Sequence, residues 1–89
     1  MKKEVLLSSK AQKEFKRLSP SARKRIKEAL YKLASGYKHL DIKKLKGVDG
    51  REDLYRLRVG EYRIVYYPEK IAIKVIRIEH RSRGYEWLE

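Results

Sequence analysis

From Leu54 to Tyr67, apolar and polar residues alternate through two short runs, Leu54 to Val59 and Tyr62 to Tyr67, separated by Gly60 and Glu61. Alternation with a period of two predicts half-buried strands. A glycine at the first central position of a two-residue loop supplies the positive φ that a tight hairpin turn requires. Val59 and Tyr62 then flank the loop, and Arg58 faces Arg63 across the ribbon. Because residues two apart, and residues directly paired, share a face, one face carries Tyr55, Leu57, Val59, Tyr62, Ile64 and Tyr66, a core face. The other carries Leu54, Arg56, Arg58, Arg63, Val65 and Tyr67. Like charges directly opposite one another destabilise a sheet. Three guanidinium groups at the middle of the ribbon therefore make either a solvated basic face or one that holds an anion.

The pattern changes on both sides of this hairpin. Residues 2–7, KKEVLL, read as a short strand with Val5 and Leu7 on one side. Ser8 or Ser9 offers an N-cap, and Ser9 with Gln12 matches a capping box. The helix it opens has Ala11, Phe15 and Leu18 inside and Lys10, Lys13, Lys16 and Arg17 outside. Ser19-Pro20 starts a second helix, with Ser as cap and Pro in the first turn. Its apolar stripe is Ala22, Ile26, Ala29, Leu30 and Leu33, and Gly36 ends it shortly after Ala34 or Ser35. So short a connection predicts an antiparallel helical hairpin laid over the Tyr55, Leu57 and Ile64 face.

Residues 37–53 form a long connection, which in a compact domain is functional or partly structured. It holds Lys43, Lys44 and Lys46. Tyr67-Pro68-Glu69-Lys70 reads as a turn and Ile71 to Ile78 as the next strand. That strand's faces do not separate, because Arg77 interrupts the apolar set. A bulge, or burial on both sides, reconciles this. The chain closes with EHRSRGYEWLE, in which Trp87 and Leu88 are expected to pack on the sheet. The expected fold is α+β: an antiparallel sheet of about four strands with an N-terminal helical hairpin packed on one face, residues 1–89 forming a single domain.

Size and charge narrow the chemistry. An 89-residue chain has room for one core and buries about 60–65% of its unfolded surface. It has no Cys, so disulfides, thiolate metal sites and Cys nucleophiles are excluded. Its apolar runs are too short to span a membrane and its start lacks a signal-peptide pattern, so a cytoplasmic protein with no membrane partner is expected. The net charge of +12 and pI near 10.0 imply a polyanionic partner. Residues 1–40 carry 12 basic against 3 acidic residues, and residues 41–85 carry 12 against 7, so the helical half is basic too. That suits broad docking on phosphate backbones, with Lys13 and Lys16 on the outer helix face as docking residues.

His39 and His80 have no partner at metal-ligand spacing, and Gly47 and Gly50 do not form a phosphate loop, so neither a metal nor a cofactor is expected. What remains is Arg, Lys, His and Tyr, a set that fits phosphate chemistry on RNA. Cleavage by the 2′-hydroxyl needs a group to take its proton, another to protonate the leaving 5′-oxygen, and cations around the transition state. Arginine, with a pKa above about 12, serves only the last role. Arg56, Arg58, Arg63 and Arg81 are therefore read as phosphate clamps. His80 is the group able to transfer protons near neutrality. Tyr85 stacks on a base or donates a proton, and Lys43, Lys44, Lys46 and Arg83 grip the RNA backbone.

The order of parts resembles the RelE/ParE superfamily of toxins from toxin–antitoxin pairs: strand, helical hairpin, Lys-Leu-Lys-Gly loop, LYRLR, GEYRIVY, apolar strand and HRSRGY. The resemblance covers nearly the whole chain. Its most specific pieces are Tyr55-Arg56-Leu57-Arg58, Tyr62-Arg63, and His80-Arg81 with Tyr85. The RelE branch implies a ribosome-dependent endoribonuclease that cuts mRNA in the A site; the ParE branch implies a gyrase inhibitor without the basic catalytic set. Retention of that set favours RelE. Arg56 and Arg58 stand where the best-known bacterial members have lysines, which removes a lysine base and leaves His80 or Tyr85 in its place. Either Arg81 or Arg83 matches the family's C-terminal arginine. The resemblance also implies an acidic antitoxin as partner and a toxin that is monomeric alone.

Overall fold

The computed structural model describes residues 2–45 and 54–83. In chain order it contains β1 (Glu4–Leu7), α1 (Ser9–Lys16), α2 (Pro20–Ala34), β2 (Ile42–Lys44), β3 (Tyr55–Val59), β4 (Tyr62–Pro68), β5 (Ala72–His80) and a 3₁₀ turn, Arg81–Arg83. The strands form one sheet in the order β1-β5-β4-β3-β2. There are thus five strands where about four were expected. The added strand, β2, pairs antiparallel with β3, and the outermost strand, β1, runs parallel to β5. The sheet is mixed, not wholly antiparallel. The parallel pair follows from geometry: β1 and β5 are separated by the whole chain, so no tight turn forces them antiparallel.

Side-chain caps set the helix ends. Ser8, not Ser9, caps α1: its Oγ accepts from the Ala11 N–H at 3.0 Å. The expected Ser9–Gln12 capping box does not form, because the Gln12 amide donates to the Leu7 carbonyl instead. Ser19 caps α2 with Pro20 in the first turn. At the other end of α2, Tyr37 N–H reaches the Lys32 carbonyl and Gly36 N–H the Leu33 carbonyl, while Gly36 takes φ 81°. This double closure satisfies carbonyls that the helix end would otherwise leave open.

Both helices pack on one face of the sheet. Ala11 of α1 and Ile26, Leu30 and Ala34 of α2 join Leu57, Ile64, Tyr66, Ile73, Val75 and Ile78 in one buried cluster. Each fully buried Leu or Ile contributes about 1.5–3 kcal/mol relative to exposure. The β3–β4 hairpin has the expected register, with Val59 opposite Tyr62, Arg58 opposite Arg63 and Gly60 at φ 59°. The irregular strand resolves as a bulge. Val65 pairs with Arg77 and Tyr66 with Val75, so Ile76 is the extra residue, and Ile78 returns to the core opposite Ile64.

β1 covers the edge of β5 only as far as Val75. Beyond it, α1 takes over: the Ser8 hydroxyl donates to the Ile76 carbonyl and the Glu14 carboxylate accepts the Ile78 N–H at 2.8 Å. A side chain thus satisfies an edge donor that another strand would otherwise meet. The same carboxylate pairs with Arg77 at 3.1 Å, and Arg77 pairs in turn with buried Glu79.

A candidate phosphate-binding cleft

The second face of the sheet is where the arginines gather. On β3, Arg56 and Arg58 are two residues apart and so point the same way; Lys43 pairs with Arg56 from β2, and Arg63 pairs with Arg58 from β4. The chain leaves β5 at His80 and turns at once into Arg81–Arg83, which brings Arg81 to the same end. Lys43, Arg56, Arg58, Arg63 and Arg81 together line a cleft of about 440 Å³, with Leu45 and Tyr62 on its walls. This face is not wholly polar, since Leu54 and Val65 on it are buried.

Several contacts fix the positions of the cations. Arg81 is held through its main chain: its N–H donates to the Glu61 carbonyl at 2.7 Å, and its carbonyl accepts from Arg63 Nη2 at 2.6 Å. Arg56 is mostly covered, its side chain 12% exposed, and its Nη1 donates to Asp41 Oδ1 at 3.2 Å. The other oxygen of Asp41 lies 3.8 Å from Arg58 Nε. Glu79 is the backbone partner of Arg63 on β5. Asp41 is the charged neighbour of these arginines that the sequence reading does not include. The signal was the like-charge pair Arg58–Arg63, which implied an anion without saying where in the chain it came from.

The structure brings Arg56, Arg58, Arg63, Arg81 and Lys43 together and sends other candidates elsewhere. Lys44 pairs with Tyr55 and so shares the opposite face. His80 pairs with Tyr62 and packs edge-on against its ring at 5.4 Å. Its Nδ1 lies 2.9 Å from the Ser82 hydroxyl and its Nε2 3.3 Å from the Glu61 carboxylate. It borders a second cleft, of about 630 Å³, on the helix side with Lys10, Lys13 and Arg17. Lys16 is exposed at the end of α1. Lys46, Tyr85, Trp87, Leu88 and the side chain of Arg83 lie outside the described residues.

Chemically, the arginine cleft can bind and stabilise anions. Guanidinium groups present fixed forks of donors that match phosphate oxygens and stay charged at any physiological pH. None of them can take a proton from a hydroxyl. Among the described residues, no group of three or more His, Asp or Glu side chains comes together to hold a metal ion. No helix among them is long and apolar enough to cross a membrane.

Residues 5–85 match the family model described as ParE toxin of type II toxin–antitoxin system, parDE. The chain belongs to the RelE/ParE toxin superfamily. "Putative toxin RelE1" of Methanocaldococcus jannaschii is 33% identical over 92 residues, covering 97% of this chain and 98% of that protein. Among solved structures, the RelB–RelE antitoxin–toxin complex from Methanococcus jannaschii is similar with a TM-score of 0.74 at 31% identity, over 94% of this chain and 99% of that one. The archaeal RelE–RelB complex from Pyrococcus horikoshii OT3 is similar with a TM-score of 0.69 at 25% identity, over 94% and 100%. This RelE-like chain is accordingly a toxin of the type II toxin–antitoxin class.

Proposed function

We propose that this toxin is a ribosome-dependent endoribonuclease that cuts mRNA in the A site by attack of a 2′-hydroxyl on the adjacent phosphodiester. The observation that carries the reading is the convergence of four arginines, Arg56, Arg58, Arg63 and Arg81, with Lys43 on one cleft. In the transition state the scissile phosphate gains negative charge, and fixed guanidinium donors stabilise it most where water is excluded. Arg56, the most covered of the β3 pair, and Arg63, braced against Arg81, are the preorganised members. Tyr85 orients a base by stacking and, since His80 is turned toward the helix-side cleft, is also the candidate for proton transfer. Lys46 and Arg83 extend the grip on the RNA backbone, and Lys13 and Lys16 dock on ribosomal RNA.

The partner that restrains it is an antitoxin, acidic to complement the net charge of +12. The two archaeal relatives named above were solved as toxin–antitoxin complexes. The toxin acts where ribosomes are, in the cytoplasm. A second reading, inhibition of DNA gyrase, is favoured by the ParE description of the matching family model.

The test is primer extension on an mRNA in programmed ribosomes, with the wild-type chain and Arg81→Ala, each with and without ribosomes. Cuts within the A-site codon that require ribosomes and vanish in the variant are expected. Absence of cutting in every arm, together with inhibited supercoiling in a gyrase assay, would overturn the nuclease reading in favour of the second.

A further inference from the structure

We infer that Asp41 is a resident anion of the arginine cleft: a positioning residue that holds Arg56 and Arg58 in place and that the phosphate of bound RNA displaces. The inference rests on the proposed RNA-cleaving function for its kinetic consequence, but its binding consequence stands without it.

Asp41 immediately precedes β2, and its main-chain carbonyl accepts the Arg58 N–H at 2.9 Å, which locks its backbone beside β3. From that anchor its two carboxylate oxygens diverge, one to Arg56 Nη1 at 3.2 Å and the other toward Arg58 Nε at 3.8 Å. One carboxylate thus bridges two guanidinium groups of the same strand face, which is the geometry a phosphate would take between them. It also offsets the repulsion among Arg56, Arg58 and Arg63 while the cleft is empty of RNA. The contact to Arg58 is the longer one, and both Arg58 and Asp41 are well exposed, at 60% and 57%. An exposed, long contact of this kind is weak and screened, so it can yield to a phosphate. Arg56 is covered and keeps its place when that happens.

Two effects follow, opposite in sign. Removing the carboxylate removes a competitor, so RNA binds more tightly and with one more effective cation. It also removes the brace on Arg56, which the carboxylate keeps when phosphate takes Arg58 from it, so bound RNA meets a less ordered Arg56 and is cut more slowly. A residue that merely supported the fold would weaken both together.

The experiment compares wild type, Asp41→Asn and Asp41→Glu, each first checked for an unchanged thermal unfolding midpoint. Binding is read by fluorescence anisotropy on a short 2′-O-methyl RNA, which cannot be cleaved by its own 2′-oxygen, across a salt series. Cleavage is read under single-turnover conditions on programmed ribosomes. Asp41→Asn is expected to bind about three- to tenfold more tightly, with a log K against log salt slope steeper by about 0.7, and to cleave about tenfold more slowly at saturation. Asp41→Glu is expected to restore both. The binding gain is expected to disappear in an Arg58→Ala background. Unchanged or weaker binding by Asp41→Asn overturns the displaceable anion, and an unchanged saturating rate in an active enzyme overturns the positioning role. If wild type cuts nothing on ribosomes, the nuclease reading fails while the anisotropy arm still decides whether Asp41 competes with RNA phosphate.

Discussion

Arg63 Nη2 donates a 2.6 Å hydrogen bond to the main-chain carbonyl of Arg81. Glu61, in the β3–β4 turn, accepts the Arg81 N–H from the other side. The turn after β5 is therefore fastened to the β3–β4 hairpin at its first residue, through both the N–H and the carbonyl of Arg81, and one arginine of the cleft positions another.

The two arginines should accordingly act as a unit. Arg63→Ala and Arg81→Ala are each expected to slow single-turnover cleavage by ~10²–10³, the usual effect of losing one donor to a developing anion. Independent residues would make the double variant ~10⁴–10⁶ slower, since their free energies add. Because Arg63→Ala already loosens Arg81, the double variant is expected to stay above a loss of about 10⁴. Full multiplicativity, measured on the same programmed ribosomes, would refute the coupling.

A different kinetic pattern is expected from α1. Lys13 lines the helix-side cleft and Lys16 is exposed beyond it, both away from the arginines. Exchanging both for Ala removes long-range attraction to ribosomal RNA and no group of the arginine cleft. The ribosome concentration giving half-maximal rate should rise about three- to tenfold, most clearly at low salt, while the saturating rate changes less than twofold. A fall in the saturating rate with no change in half-maximal concentration would place these lysines in the chemistry instead.

Glu14 ties α1 to the sheet edge, accepting from Ile78 N–H at 2.8 Å and from Arg77 Nε at 3.1 Å, in a site where both charged side chains are under one-fifth exposed. Glu14→Ala leaves the Ile78 N–H without its acceptor and takes away a carboxylate from a covered guanidinium. A loss of about 2–4 kcal/mol is expected, from an unmet donor and a broken part-buried pair together. Glu14→Gln keeps one acceptor and should lose about half as much. Urea unfolding midpoints measure both, and a loss below about 1 kcal/mol for Glu14→Ala would mean that solvent replaces the carboxylate.

The hairpin was readable in advance because alternation and Gly60 fix its register locally, and register alone decides that Arg56, Arg58 and Arg63 share a face. The bulge was also visible, as a conflict: Arg77 could not sit among Val75, Ile76 and Ile78 on one regular strand. β2 was not, since Ile42-Lys43-Lys44 is three residues with one apolar side chain, and its pairing with β3 is made by main-chain bonds rather than by a buried face. Asp41 was hidden for the same reason, being fifteen residues from Arg56 in sequence and brought to it by that pairing. The position of His80 depends on the strand running two residues past Ile78, where the sequence reading ended it. The two extra pairings, Arg63 with Glu79 and Tyr62 with His80, turn the imidazole to the Tyr62 side.

Tyr66 makes the fold sensitive to alkali. It is 4% exposed, and its ring stacks on Tyr55 at 5.8 Å. Burial, with a smaller contribution from Tyr55, pushes its phenol up from 10.0 to about 12. A folded-state value above the unfolded one means the native state keeps a proton that the unfolded chain gives up. That preference costs nothing below pH 10 and weakens the fold progressively as pH rises through 10 toward 12, by about 1.4 kcal/mol per unit. Wild type should thus lose about 2–3 kcal/mol over that window from this group, and Tyr66→Phe should remove that part of the slope while leaving stability at pH 7–9 lowered only by the missing hydroxyl. Tyr55→Phe should leave the onset near pH 10 and make the total loss only slightly smaller, because burial is the larger cause. Urea midpoints measured at intervals from pH 8 to pH 11.5 test this. If wild type and Tyr66→Phe give parallel profiles, the alkaline loss comes from other groups and the buried phenol does not control it.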